Sequence, residues 1–137
     1  MIIQTRILNI DELFAELNDD KKTPLIKGKI YNNYCLGSGA NRQYFSDENG
    51  AKIDAIRQKI QIWFNNKEID KKTYFHLLAS LLESSDKVAN TASVYGAFLK
   101  NLKKSASKRL VLEPAIFELN DNKHFAFNEN SNDLIKK

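Results

Sequence analysis

Residues 46–89, SDENGAKIDAIRQKIQIWFNNKEIDKKTYFHLLASLLESSDKVA, carry the pattern that decides the fold. In their first half Ile53, Ile56, Ile60 and Trp63 recur at steps of three and four, the period of one helix face. Lys52, Arg57, Lys59 and Gln61 form the wet side of that helix. It is predicted to begin near Ser46 to Asn49, where Asp47 and Glu48 suit the positive end of a helix dipole, and to run to about Asn65. Asn65-Asn66-Lys67-Glu68 reads as a turn. A second helix is predicted over roughly Lys71 to Ala89, with Tyr74, Leu77, Leu78, Leu81 and Leu82 inward. Two helices joined by so short a turn are most simply an antiparallel hairpin.

Upstream, Ile10, Leu13, Phe14 and Leu17 make one stripe of a short amphipathic helix that Asn9 or Asp11 caps. It ends in the polar run Asn18 to Lys22, with Pro24 just beyond. Residues 25–47 read as irregular or extended. Gly28, Gly37 and Gly39 punctuate them, and Tyr31, Tyr34, Tyr44 and Phe45 give them a high aromatic content. A long structureless stretch of that kind is either packed over the core or functional.

Downstream, the run from Lys87 through Val94-Tyr95-Gly96 to Lys100 interleaves small, polar and aromatic residues. Lys100, Lys103, Lys104, Lys108 and Arg109 then follow within ten residues, with no acidic residue among them. Small residues let a backbone approach another large molecule, Asn, Thr, Ser and Tyr reach phosphates and base edges, and lysines neutralise phosphate charge. The same residues admit a plainer reading, a helix from Thr91 to about Lys104 whose Val94, Phe98 and Leu102 pack inward and whose lysines are solvated. After Ser105, Arg109 to Leu112 reads as a short strand ended by Glu113-Pro114, Ala115 to Asn120 as a second extended piece, and His124 to Phe127 as an alternating strand after a turn at Asp121-Asn122. Asn130 and Ser131 cap a helix start at Asn132 to Ile135. A chain ending on the first turn of a helix reads as cut short.

The fold class expected from these elements is mainly α with a few short β-strands (α+β) and about four helices. A helical region over 1–104 is followed by short strands and a helix start over 105–137. At 137 residues, 42% hydrophobic and 28% charged, the chain has the composition of one soluble domain able to bury a sizeable core. Its net charge of +4 permits a polyanionic partner without demanding one. A single cysteine, Cys35, excludes an intramolecular disulfide and a cysteine-based zinc site, and suits a reducing cytoplasm. No apolar run approaches the roughly 18 residues of a membrane span, so no membrane partner is expected.

Familiar catalytic patterns fit poorly. Gly37-Ser38-Gly39 lacks the third glycine and the preceding strand of a nucleotide loop. His76 and His124, the two histidines, have no carboxylate or cysteine companion at metal spacing, so no metal site is expected. Nothing local would activate Cys35 as a nucleophile. Asp47, Glu48 and Asp54 fall where a helix start favours acids anyway. The catalytic set assigned is therefore empty.

Two stretches resemble the Dam-like family of N6-adenine-specific DNA methyltransferases. One is Arg42 to Arg57, RQYFSDENGAKIDAIR; the other is Leu77 to Lys100, LLASLLESSDKVANTASVYGAFLK, continued by Leu102 to Ala106. The resemblance covers about residues 30–135. It implies the central, largely helical insertion that grips and reads DNA between two conserved parts of a methyl-donor-binding domain. It also implies that Arg42, Tyr44, Asn90, Thr91, Ser93, Tyr95, Lys100, Lys103, Lys104 and Ser105 face DNA or line its pocket. Such an enzyme uses S-adenosylmethionine, held by a glycine-rich loop, and grips the flipped-out adenine with an Asp-Pro-Pro-Tyr motif. Pro24 and Pro114 stand ninety residues apart, so that motif is absent, and no Phe-x-Gly-x-Gly precedes residue 30. Phe127 to Ile135 is similar to the segment just before the catalytic motif. It places Asn130 at a methyl-donor position where the family carries an acidic residue. No donor is expected to bind this chain alone. The expected role is double-stranded DNA binding and target recognition by a piece of a methyltransferase. A helical module docking onto separately encoded methyltransferase segments, and a non-functional remnant, stand as alternatives.

Overall fold

The computed structural model describes residues 9–92, 96–116 and 125–135. Its centre is the expected hairpin. Helix α3 spans Asp47–Asn65 and α4 spans Lys71–Lys87. Ser46 caps α3 by accepting from the Asn49 amide at 3.1 Å, and Asp70 caps α4 by accepting from Thr73 at 2.8 Å. The turn between them closes as a Schellman motif. The Glu68 amide donates to Trp63 O at 2.8 Å, the Lys67 amide donates to Phe64 O at 3.0 Å, and Lys67 takes the left-handed φ of 58°. Ile53, Ile56, Ile60 and Trp63 are buried against Leu77 and Leu81, as the periodicity predicts. Two residues depart from it. Leu82, expected inward, is 73% exposed. Lys52, expected on the wet side, is 1% exposed.

Helix α1, Ile10–Asn18, is capped by Asn9, whose Oδ1 accepts from Glu12 N at 2.9 Å, and it buries Leu13, Phe14 and Leu17. Its C-terminal end is what lets Lys52 be buried. Lys52 Nζ donates to the Asn18 carbonyl at 3.0 Å and meets Asp20 at 2.6 Å, so the charge is paired and two of its three N–H donors are used. Arg109 also pairs with Asp20. The hydrogen bond from Lys52, then that from Arg109, hold the Asp20 carboxyl below its usual range. A depressed folded pKa stabilises the fold above the unfolded value, and that contribution fades as pH falls through the folded one. The wild-type urea midpoint should therefore fall between about pH 4 and pH 2 by more than that of Asp20→Asn. Equal falls would show that the pair contributes nothing.

The stretch 25–47, read as irregular, contains a one-and-a-half-turn helix α2, Lys29–Tyr34, and a 3-10 turn, Leu36–Ser38. Its cap comes from far away in sequence. The buried Asp54 carboxylate on α3 accepts from the amides of Gly28, Ile30 and Tyr31 at 2.8–2.9 Å. Gly28 has to be glycine for that approach, since a Cβ there would lie 2.9 Å from Asp54 Cγ.

The chain then differs from expectation in two places. Among the described residues of 91–104 no helix forms until α5, Lys104–Ser107, so the predicted Thr91–Lys104 helix is corrected: 91–92 and 96–103 are not helical. Arg109–Leu112 is extended but joins no sheet. Its alternation is real: Leu110 and Leu112 are buried and Val111 is 56% exposed. Side chains supply the ladder that a neighbouring strand would otherwise give. Asn49 Oδ1 accepts from Leu110 N at 2.8 Å, and its Nδ2 donates to Lys108 O at 2.7 Å. Asn18 both accepts from and donates to the Leu112 backbone at 2.8 and 2.9 Å. Ser84 Oγ accepts from Glu113 N, and Ser80 Oγ from Ala115 N. Extended backbone needs its polar groups paired, and amides and hydroxyls on α1, α3 and α4 do this as well as a strand. Phe125 to Phe127 is likewise not in a strand, while Ala115 to Asn120, Asp121-Asn122 and His124 lie wholly or partly outside the described residues. The architecture is thus mainly helical, with six helices among the described residues and β structure limited to the isolated bridges Cys35–Phe45 and Thr91–Phe98. The last helix, α6, is Ser131–Ile135, and Asn130 caps it as predicted.

Candidate nucleic-acid interface

Asn90 stands just past the end of α4 and is 0% exposed. Its amide donates to Tyr44 O at 2.7 Å and its carbonyl accepts from Leu99 N at 3.0 Å. Its side chain uses both donors, to Gln43 O at 3.0 Å and Leu99 O at 2.9 Å, and its Oδ1 accepts from Lys103 N at 3.0 Å. One buried amide therefore binds three backbone positions from two separate loops. A side chain offering both donors and an acceptor is what this junction demands, and asparagine has them at the shortest reach. The neighbouring rings follow. Tyr44 packs on Phe98 with centroids 5.2 Å apart and on Tyr34 edge-on at 5.6 Å.

This junction gathers most of the residues singled out by the sequence. Arg42 is exposed and Tyr44 half-buried on one loop. Lys100 is exposed and Lys103 half-buried on the other, and Lys104, exposed, and Ser105, half-buried, begin α5 just after it. Thr91 is 4% exposed, and its carbonyl accepts from Lys103 Nζ at 2.6 Å. Ser93 and Tyr95 lie outside the described residues. The basic run does not present five equivalent charges. Lys103 is turned inward onto Thr91, and Arg109 pairs with Asp20 and, at 3.7 Å, with Glu48. Lys100, Lys104 and Lys108 remain exposed. Gln43, Leu99 and Phe98 complete the junction. The sequence signals none of the first two, because they take part through backbone carbonyls, and it offers Phe98 only as a core residue.

The remaining candidates fall into structural roles. Cys35 is fully buried, its Sγ donates to Ser46 O at 3.3 Å, and burial, reinforced by Asp47 and Asp54, pushes its thiol up to about 12. It is an inert thiol. His76 packs edge-on against Phe14 at 5.9 Å. Asp47 and Asp54 bind backbone amides of Gly37 and of the α2 start. Among the described residues, no three histidine, cysteine or acidic side chains cluster to hold a metal. Asn130 Oδ1 is engaged by Asn132 N at 2.9 Å, and residues 125–135 are exposed except for the half-buried Leu134. One exposed amide does not by itself make a site for S-adenosylmethionine. No helix among the described residues is long and apolar enough to cross a membrane.

Comparison with known proteins identifies the family. The chain is 58% identical over 130 residues to the type II methyltransferase M.NlaIII of Neisseria lactamica, covering 95% of this chain and 38% of that protein. It is 38% identical over 129 residues to the modification methylase LlaI of Lactococcus lactis subsp. lactis, covering 90% of this chain and 20% of that one. It is 41% identical over 109 residues to the type II methyltransferase M.CviAII of Paramecium bursaria Chlorella virus 1, covering 80% and 32%. The chain thus spans well under half the length of these relatives. No solved structure matches it. The description D12 class N6 adenine-specific DNA methyltransferase matches residues 2–137, and the chain belongs to that family.

Proposed function

We propose that this chain supplies the DNA-gripping and target-recognition part of an N6-adenine DNA methyltransferase. The observation that carries the reading is the Asn90 junction. It ties the backbone at Gln43, between Arg42 and Tyr44, to the backbone at Leu99 and Lys103, next to Lys100 and Lys104, and Arg42, Lys100 and Lys104 are all exposed. Cations suit phosphates, and the tyrosine and backbone groups suit sugar and base edges. On this reading Asn90 and Thr91 are positioning residues, since both are buried and Asn90 spends its side chain on backbone. Lys103 serves in part by bracing the same loop. Methyl transfer belongs to the complete family enzyme, where S-adenosylmethionine supplies the methyl group. The glycine-rich loop and the Asp-Pro-Pro-Tyr motif for that step are not in this stretch.

A labelled duplex titrated with the purified chain at several salt concentrations tests the reading. Arg42, Lys100, Lys104 and Lys108 are expected to neutralise about four phosphates, giving a log–log salt slope of about −3.6. Lys100→Ala and Lys104→Ala should each make that slope shallower by about 0.9. Arg109→Ala, already paired with Asp20, should move it far less. Binding that is absent at low salt, or whose slope ignores these lysines, would remove the DNA surface from this face.

A further inference from the structure

A groove of about 850 Å³ lies between α2, α3 and α4, beside the Tyr44 loop. Ile30, Tyr34, Phe45, Ile53, Leu81 and Leu82 make it mainly apolar, and Tyr44 lines it on the side of its own loop. Three features set it apart from an ordinary surface dip. Leu82 is 73% exposed and Tyr34 37%, so a contiguous apolar lip faces outward. Ser85 lines the groove at 8% exposure, and its Oγ is buried with no hydrogen-bond partner among the described residues. An unmet buried hydroxyl is costly and calls for an acceptor brought by something else. Arg57 and Asp86 line the same groove with opposite charges.

We infer that this groove is the seat of a segment from the methyl-donor part of a D12 methyltransferase, an apolar stretch that covers Leu82 and brings an acceptor to Ser85. The inference rests on the family reading above. The share of the relatives that this chain spans argues for that occupant. The part shared with M.NlaIII is only 38% of that protein, so the larger part of such an enzyme packs somewhere on or beside this body. The groove is large enough for several bulky side chains. Tyr44 and Phe45 line it, so it adjoins the Arg42–Tyr44 loop, but none of the exposed lysines of the basic run does.

The test uses a chimaera in which this chain replaces the matching 130 residues of M.NlaIII, compared with the isolated chain. Leu82→Glu should leave the isolated chain's melting temperature and DNA affinity unchanged, because Leu82 is mostly exposed there. In the chimaera it should lower the melting temperature by several degrees and DNA methylation by about tenfold or more. Lys104→Ala should do the reverse, weakening DNA binding in both proteins while moving neither melting temperature. The two readings can therefore fail separately. Equal effects of Leu82→Glu on both proteins, or no effect on the chimaera, would overturn the proposal. So would concentration-dependent dimerisation of the isolated chain that Leu82→Glu abolishes, since the occupant would then be a second copy.

Discussion

Replacing Asn90 with alanine is expected to cost the folded chain about 3 kcal/mol, read as a lower urea midpoint with an unchanged m-value. The alanine would remove two donors and one acceptor and leave the carbonyls of Gln43 and Leu99 and the amide of Lys103 without their partners. Each orphaned buried group costs on the order of 1–3 kcal/mol, and partial hydration of the loosened loops recovers some of the total. Asn90→Asp keeps the shape and Oδ1 but sets a carboxylate against two carbonyl oxygens, so it should be at least as damaging. A loss within about 0.5 kcal/mol for both variants, the level of an ordinary surface change, would show that the junction closes without this amide.

Gly50→Ala is the second large effect. In an unconstrained helix that change would stabilise by about 0.5–1 kcal/mol, through propensity and a less flexible unfolded chain. Here the added Cβ would lie 2.1 Å from Cys35 Sγ, and Cys35 is fully buried with nowhere to retreat. Overpacking should win, for a net loss of about 2 kcal/mol. Cys35→Ala makes room, so the double variant Cys35→Ala/Gly50→Ala should recover most of that loss, with a coupling energy of about 2 kcal/mol by double-mutant cycle. Additive losses would mean that α3 and the Cys35 loop part freely.

How far each feature could be read from the sequence follows from how local its cause is. The α3–α4 hairpin is legible because its apolar period, the start near Ser46 and the turn at Asn65 to Glu68 all lie within the segment they shape. The irregular path after Asn90 was not. Val94, Phe98 and Leu102 mimic a helix stripe, and the competing interaction is an amide bound to a carbonyl 47 residues earlier. Arg109–Leu112 reads as a short strand and is extended, but its partners are side chains of Asn18, Asn49 and Ser84 rather than a strand. Lys52 looked solvated because its partners, Asn18 and Asp20, stand more than thirty residues away. At the candidate interface the sequence marked the basic run. It could not separate Lys100 and Lys104, which are exposed, from Lys103, which is turned inward, and Arg109, which is exposed but paired with Asp20.

The most direct test of the DNA-recognition account is a map of backbone amide NMR shifts during titration with a short duplex. The account predicts that the largest changes cluster at residues 40–45 and 96–108, the two loops joined by Asn90, while the outer face of α4 around Leu82 stays still. Changes concentrated on α4 or α1 instead, or none at low salt, would contradict it.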